Sequence, residues 1–393
     1  MVKEARDDTL SSQQARVHAM IQSVGGYWRP INGLARLLEE LGELGELIGQ
    51  GESDHRRPSG AALAEELADI WIISTCTANQ FNIELSRCPV PAEPSEGGIA
   101  SLLARAGWIA RILNYYDGPK TPRSVAGWPS LGEAIASFHS ALEALAHQCG
   151  ADLRTAVNAK VEETPTRDAG RFPRSFDPST SETLQSFEAV RSKTLCTLAE
   201  RAKLWGAPRW RKDLTDGPNV EALVPYLSIF AKAAEREGLD GFVVAPCKEV
   251  EADGMSGLAT WFRGFLELLC QNDPRPSGAN SFAGVDHPGW QFSFHGVRMF
   301  VSVFSTVYPV NHPRHSESGP HVLFQPETSF GSHGIGAGHP PSERIKQAIR
   351  RRFAEAGLTY PAEVIDQRVE AAIYLLPRWD GDTDAQWWTD RRV

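Results

Sequence analysis

The texture of the chain changes at RFPRSFDPSTSETLQS, residues 171–186, a stretch rich in proline, serine and threonine. Ahead of it, apolar residues recur at three- and four-residue spacing in 34–48, 61–84, 99–116 and 131–148, the period of amphipathic helices. The breaks between these runs, GQGESDHRRPSG, SRCPVPAEPSEGG and DGPKTPRSVAGWPS, carry the Gly, Pro and Ser of loops. Four such helices predict an all-α, four-helix-type bundle. Beyond the change, GFVVAPC (241–247), WQFSFHGVRMFVSVFSTVYPV (290–310) and HVLFQPETSF (321–330) are β-branched and aromatic, which is strand chemistry. Helical stretches are expected at 186–205, 219–236, 257–271 and 342–356, so the second half reads as α+β. The expectation is a multidomain chain: a helical domain over 1–175, a linker over 176–186 and an α+β domain over 187–393.

At 393 residues, with 41% hydrophobic and 23% charged residues, the composition is that of globular domains. The formal net charge of −9 leaves no basic excess to neutralise phosphates, which argues against a nucleic-acid polymer as partner. Six cysteines are scattered without a CxxC pair, a pattern of reduced thiols. The opening MVKEARDDTLSSQQ has no apolar core, and no window approaches the ~18 apolar residues of a membrane span. These features predict a cytoplasmic protein with no membrane partner.

The segment EELGELGEL, residues 39–47, crowds Glu39, Glu40, Glu43 and Glu46 among leucines. On a helical wheel Leu34, Leu37, Leu38, Leu41, Leu44 and Ile48 form an apolar arc, with Glu40 at its edge and Glu43 one turn along. In AEELADIWII, residues 64–73, the arc is Leu63, Leu67, Ile70 and Ile73. Glu66 falls inside this second arc and Asp69 at its margin. If the arcs pack together, Glu40, Glu43, Glu66 and Asp69 converge. Carboxylates ~5 Å apart repel by about 3 kcal/mol per pair at an effective dielectric near 20. A hard divalent cation with oxygen ligands would offset that repulsion.

The pattern EExxE followed by ExxD resembles the MazG-like all-α nucleoside triphosphate pyrophosphohydrolases. Here it reads Glu39-Glu40-Leu41-Gly42-Glu43 and Glu66-Leu67-Ala68-Asp69. The closing helix of that family carries a lysine and then an arginine, matched by Lys160 and Arg167, with Asn158 and Arg171 nearby. The likeness covers about 15–175. It implies Mg²⁺ held by Glu40, Glu43, Glu66 and Asp69, a nucleoside triphosphate as substrate, and release of pyrophosphate. Glu39 would then be a general base, and Lys160 and Arg167 would neutralise phosphate charge. It also implies a homodimer, since bundle domains of this family commonly pair. Residues 88–130 look like an insertion relative to the family, placed to shape a base pocket. Trp28, Trp71 and Tyr115 are expected in the core, with stacking on a base as the alternative.

Seven of the eleven histidines lie between 287 and 339: His287, His295, His312, His315, His321, His333 and His339. Their spacing fits no zinc motif. The surrounding residues, Tyr308, Pro309, Asn311, His312 and Arg314, then Leu323, Phe324, Gln325, Pro326, Ser329 and Phe330, resemble the YqcI/YcgG family over about 185–376. Some of its members are haem-dependent enzymes that hydroxylate nitrogen in guanidines or amines. The resemblance implies a haem, with His312 as first choice of axial ligand, His295, placed in a strand, as second, and Arg314 beside them. Near the start of that domain, before a helix, the family often carries a Pro-Cys dipeptide; in VPYLSIFAKAA Tyr226 stands at that place. Three readings follow: a Mg²⁺-dependent pyrophosphohydrolase fused to a YqcI/YcgG-like domain, a haem N-oxygenase whose bundle serves assembly, or a binding or sensor protein in which neither site turns over.

Overall fold

The computed structural model describes residues 2–53, 59–89, 98–276, 282, 284–334, 340–358 and 369–389. His339 lies outside the described residues. The chain divides into two compact units, Met1–Asp177 and Pro178–Val393.

The first unit is all helical among the described residues: α1 (Val2–Ser23), α2 (Pro30–Ser53), α3 (Gly60–Gln80), α4 (Ile99–Tyr116), α5 (Leu131–Cys149) and α6 (Leu153–Arg167). Six helices stand where four apolar runs were counted. Helix α1 escapes the count because its described buried apolar residues, Val17 and Met20, fall near its C-terminal end. Helix α6 buries only Val157, Val161 and Thr164. The helix starts follow local chemistry. Ser59 and Asp152 cap α3 and α6 through their side chains, and Ser130 with Glu133 forms a reciprocal capping box on α5. Gly150 ends α5 in the left-handed conformation at φ 65°, a geometry that favours glycine.

Helix α3 is central, packing against α1, α2, α5 and α6, and its burial of Leu63, Leu67, Ile70 and Trp71 supplies much of the core. Helix α4, expected as part of an insertion, is a full bundle member packed on α2 and α5. Asp117 at its end accepts hydrogen bonds from Arg29 Nε (2.5 Å) and the Ile31 backbone N–H (3.0 Å), fixing the start of α2.

The second unit contains α7 (Glu182–Lys193), β1 (Leu204–Gly206), α8 (Asp216–Glu237), β2 (Gly241–Val244), α9 (Gly254–Gln271), β3 (Ser293–Phe294), β4 (Val297–Phe304), β5 (His321–Pro326), α10 (Glu327–Ser332) and α11 (Pro340–Glu355). The five strands form one sheet in the order β1-β2-β5-β4-β3. The β1–β2 pair is parallel; the other pairs are antiparallel, with Val243 opposite Leu323 and Val303 opposite Val322. An all-α region followed by an α+β domain is therefore the fold.

One helix is shorter than its sequence suggests. The expected run 186–205 stops at Lys193, where the Thr194 N–H closes on Val190 O, and Leu204–Gly206 becomes a buried strand. Pairing with β2 overrides local helix propensity there. A Cβ at Gly206 would meet Ser181 Oγ at 2.2 Å, so only glycine allows α7 to enter this close to the strand.

Candidate active site in the helical unit

A cavity of about 770 Å³ opens in the first unit, within the range of small-molecule sites. Helix α2 contributes Arg36, Glu39 and Glu40; α3 contributes Asp69, Ile72, Ile73, Cys76 and Gln80. The end of α6 and the segment after it add Thr164, Arg167, Asp168, Arg171 and Phe172. The lining combines these charged groups with apolar ones, among them Met20, Val24, Tyr27, Trp28, Phe172 and Pro173, and the Arg171 guanidinium lies over the Phe172 ring at 5.0 Å.

Around Glu40, sequence-distant carboxylates come together. One oxygen each of Glu40, Glu43 and Glu66 lie within 4.8 Å of one another, an arrangement able to hold a metal ion. Asp69 is not part of this trio; its Oδ2 pairs with Lys160 Nζ. It stays close enough to raise the pKa of both Glu40 and Glu66. Burial, then the Asp69 charge, pushes the Glu40 carboxyl up to about 7. Glu66 is also raised, by burial first and then by Asp69 and Glu43. Acid groups held above their usual range by burial and like charges are a common mark of functional sites.

The burial pattern differs from the helical wheel. Glu40, placed at the edge of the arc, is only 1% exposed. Glu66, placed inside the arc, is half-buried, and Leu38, counted as core, is 51% exposed. The buried face of α2 is thus turned toward position 40 and away from position 38. Glu39 and Arg167 line the cavity, whereas Glu43, Glu66 and Lys160 are not in its lining.

Cations line the same cavity. Arg36 reaches Glu39 Oε1 through Nη1 at 2.6 Å and pairs with Glu40 through Nη2. The buried Asp168 accepts from Arg167 Nη2 at 2.9 Å and from Arg171 Nη1 at 3.1 Å, fixing two guanidinium groups at the mouth. Both arginines hold Asp168 below the usual carboxylate range, with the Arg167 hydrogen bond the largest influence. Asn158 faces elsewhere, accepting from Arg16 at 2.7 Å.

Among the apolar lining residues, Trp28 meets Phe172 edge-on at 5.5 Å between ring centres. The Ser175 N–H donates to Gly25 O at 2.8 Å, joining the α1–α2 loop to the segment after α6. Gly25 sits at φ +127°, where a Cβ would approach the Pro173 carbonyl to 3.1 Å, so this closure requires glycine. Of the three aromatic residues singled out in the sequence, Trp28 alone lines the cavity. Trp71 is buried against His139, the rings 5.0 Å apart, and Tyr115 packs with Tyr116 and Trp128.

In the second unit His312 and His315 share Tyr308: the His315 backbone N–H donates to His312 O at 3.0 Å and the His315 Nδ1 to Tyr308 O at 2.8 Å. The His312 ring stacks on Tyr308 at 4.3 Å, and its Nδ1 accepts the Arg314 backbone N–H at 3.1 Å. Burial, then the Arg314 charge, lowers its pKa to about 4, so the ring is neutral and its proton sits on Nε2. That buried nitrogen makes no hydrogen bond, the Pro377 carbonyl being the group that favours a proton on it. His333 Nε2 and Ser329 Oγ both reach Asp240 Oδ1, at 2.8 and 2.7 Å.

Residues 196–366 match the model of the YqcI/YcgG family. They are a YqcI/YcgG domain. The chain is also similar to the uncharacterized protein YpjD of Bacillus subtilis (strain 168), 36% identical over 83 residues, 20% of this chain and 75% of YpjD. At that likeness and coverage the chain belongs with YpjD in one family. No solved structure matches the chain. No described helix is long and apolar enough to cross a membrane, and none of the six cysteines is in a disulfide.

His312 and His295 do not offer the ligand geometry expected of a haem site, whereas His315 donates from Nδ1 to Tyr308 O at 2.8 Å and leaves Nε2 free. An imidazole that binds iron needs one free lone pair while its other nitrogen donates to a partner. His312 uses its lone pair on Arg314 and points a proton from Nε2. His295 is not in a strand. It opens the two-residue turn between β3 and β4, with φ 53° at His295 and 76° at Gly296, the type I′ hairpin geometry. Its backbone N–H donates to Asp273 at 3.1 Å. The buried Arg314 lays its guanidinium over the Phe304 ring at 5.0 Å.

Arg36 and Asp168 were missed in the sequence. An i,i+4 Arg-Glu pair gave the signal for Arg36, since Arg36 precedes Glu40 by one turn. Nothing in the local pattern marks Asp168 as the partner of two arginines.

Proposed function

We propose that the helical unit is a Mg²⁺-dependent nucleoside triphosphate pyrophosphohydrolase. The observation that carries this reading is a cavity lined by Glu40, Arg167, Arg171, Trp28 and Phe172, whose Glu40 also belongs to the Glu40–Glu43–Glu66 trio. The donor set is entirely carboxylate oxygen, which suits a hard cation such as Mg²⁺. Glu40, Glu43 and Glu66 would hold it, with Asp69 adjacent and already balanced by Lys160. When bound, Mg²⁺ neutralises triphosphate charge and makes a water more acidic.

The residues of the chain supply the remainder. Arg167 and Arg171, held by Asp168, would take phosphate oxygens, and their fixed charge favours the more negative transition state. Trp28 and Phe172 offer apolar surface to a base. Water oxygen bonds the α-phosphorus and the bond to the bridging oxygen breaks, so pyrophosphate leaves and the monophosphate remains. Glu39, exposed at the cavity, would accept the water proton. A homodimer and a cytoplasmic location belong to the same reading. The surroundings of His312 and His295 do not favour the alternative of a haem N-oxygenase.

The test is pyrophosphate release from each nucleoside triphosphate with Mg²⁺, and with EDTA as control. Metal-dependent release with monophosphate as co-product is expected. No release from any of them sinks the proposal.

A further inference from the structure

Arg36 has no place in the metal and phosphate roles above, yet it touches the most buried carboxylate in the site. Its guanidinium spans Glu39 Oε1, at 2.6 Å, and Glu40 Oε1, and it lines the same cavity as Arg167 and Arg171. The Glu40 side chain is 2% exposed, that of Arg36 35%. A carboxylate so buried needs a counter-charge whenever it is ionised. Among the groups acting on Glu40, Arg36 is the one that favours its charge; burial, Asp69 and Glu43 all oppose it. A divalent cation on Glu40 would take over that role and repel the guanidinium.

We propose that Arg36 is a built-in counter-ion that competes with the metal for Glu40 and, once displaced, binds the phosphates of the nucleotide. This rests on the pyrophosphohydrolase reading of the cavity. Two properties support the exchange. Arg36 is anchored on α2 one turn before Glu40, so its side chain needs rotamer changes only, without backbone movement. It is also half-exposed at the cavity surface, where a planar guanidinium suits phosphate oxygens. The consequence is ordered binding: the metal-free protein holds its carboxylates closed by Arg36, and metal and nucleotide each favour the arrangement the other needs. Such mutual dependence is a coupling free energy and must appear from both sides.

The experiment measures Mn²⁺ binding by electron paramagnetic resonance on the full chain, without nucleotide, for wild type, Arg36→Gln and Arg36→Lys. Circular dichroism checks that each variant is folded. Removing the competitor should tighten Mn²⁺ in Arg36→Gln by about 10-fold, Arg36→Lys lying between. On the Mn²⁺-loaded proteins, an α,β-methylene triphosphate analogue should bind about 10-fold more weakly to Arg36→Gln than to wild type. Unchanged or weaker Mn²⁺ binding in Arg36→Gln overturns the proposal and makes Arg36 a simple brace for the carboxylates. Wild type that binds Mn²⁺ yet hydrolyses no triphosphate sinks the hydrolase reading, while the Mn²⁺ comparison still decides the competition. If neither wild type nor Arg36→Gln binds Mn²⁺, both ideas fall.

Discussion

Two buried carboxylates, Glu40 in the helical unit and Asp240 in the YqcI/YcgG domain, are held in opposite ways. Asp240 is saturated. It accepts from Ser329 Oγ at 2.7 Å, His333 Nε2 at 2.8 Å and the Lys203 N–H at 2.8 Å, so every oxygen is used by its own fold. Glu40 has one cation, Arg36, set against burial, Asp69 and Glu43. A saturated carboxylate ties elements together: here β2's entry to α10 and to the residue before β1. An unbalanced one beside a cavity is a site waiting for charge from outside. The contrast teaches that imbalance, rather than burial or residue type, separates a candidate site from a structural network.

The sharpest way to break this contrast is Glu66→Gln. The amide keeps the shape but is a poorer metal ligand, so turnover should fall by on the order of 10²–10³-fold while the melting temperature stays near wild type. Unaltered turnover would remove Glu66 from the site. The matching change at the other carboxylate is Asp240→Ala, which strands three donors, the buried Ser329 hydroxyl among them. Urea unfolding should show a loss of about 3 kcal/mol, with Mn²⁺ binding in the helical unit unaffected. A neutral effect on stability would mean that Asp240 is not the tie described.

A pH series probes the imbalance directly. In metal-free protein the Glu40 carboxyl is raised from 4.5 to about 7, so the folded state holds a proton that the unfolded state releases. Stability from this group is fully present below about pH 4.5 and is lost as pH rises to about 7. The loss is on the order of 3 kcal/mol. The buried neutral rings of His139, His312 and His321, lowered by burial to about 3, 4 and 4, act in the opposite sense, destabilising the fold in acid. The relevant quantity is therefore the difference between wild type and Glu40→Gln in EDTA. That difference should grow between pH 5 and pH 8 and shrink when Mg²⁺ is added to wild type. A flat difference across the range would place Glu40 among the ordinary surface acids.

Asp168→Asn should produce a smaller effect. The amide still accepts one guanidinium but cannot hold both arginines by charge, so kcat and kcat/KM for the triphosphate should both fall by about 10-fold. A rise in KM with kcat unchanged would instead assign the two arginines to ground-state binding alone.

Much of this was legible in the sequence, but unevenly. Hydrophobic period placed α2, α3, α4 and α5, and β-branched runs placed β2, β4 and β5, because those elements bury one face along most of their length. Helices α1 and α6 bury few residues each, and β1 forms only because a partner strand accepts Leu204–Gly206; periodicity cannot see either case. The pairing of position 40 with position 66 was suggested by two wheels drawn separately. Their rotation could not be, which is why Glu40 proved deeper and Leu38 more exposed than the wheels place them. Asp69 illustrates the same limit: its spacing fits a ligand, but its charge goes to Lys160, which lies on α6.

The smallest effect is expected at His312, and it tests the saturated side of the comparison. The ring is stacked on Tyr308, its Nδ1 lone pair is taken by the Arg314 N–H, and its proton is on Nε2. For this ring to bind iron, Nε2 would have to lose its proton and Nδ1 gain one, which breaks the Arg314 contact inside a buried environment. That exchange costs about 1–3 kcal/mol for the stranded backbone N–H alone. Protein expressed with a haem precursor, or titrated with haemin, should accordingly show the same absorption spectrum in wild type and His312→Ala. The substitution should register as a stability loss through the vacated space against Tyr308. A Soret band present in wild type and lost in His312→Ala would reverse the conclusion. The YqcI/YcgG domain, and not only the helical cavity, would then hold a site whose charge balance comes from a bound group.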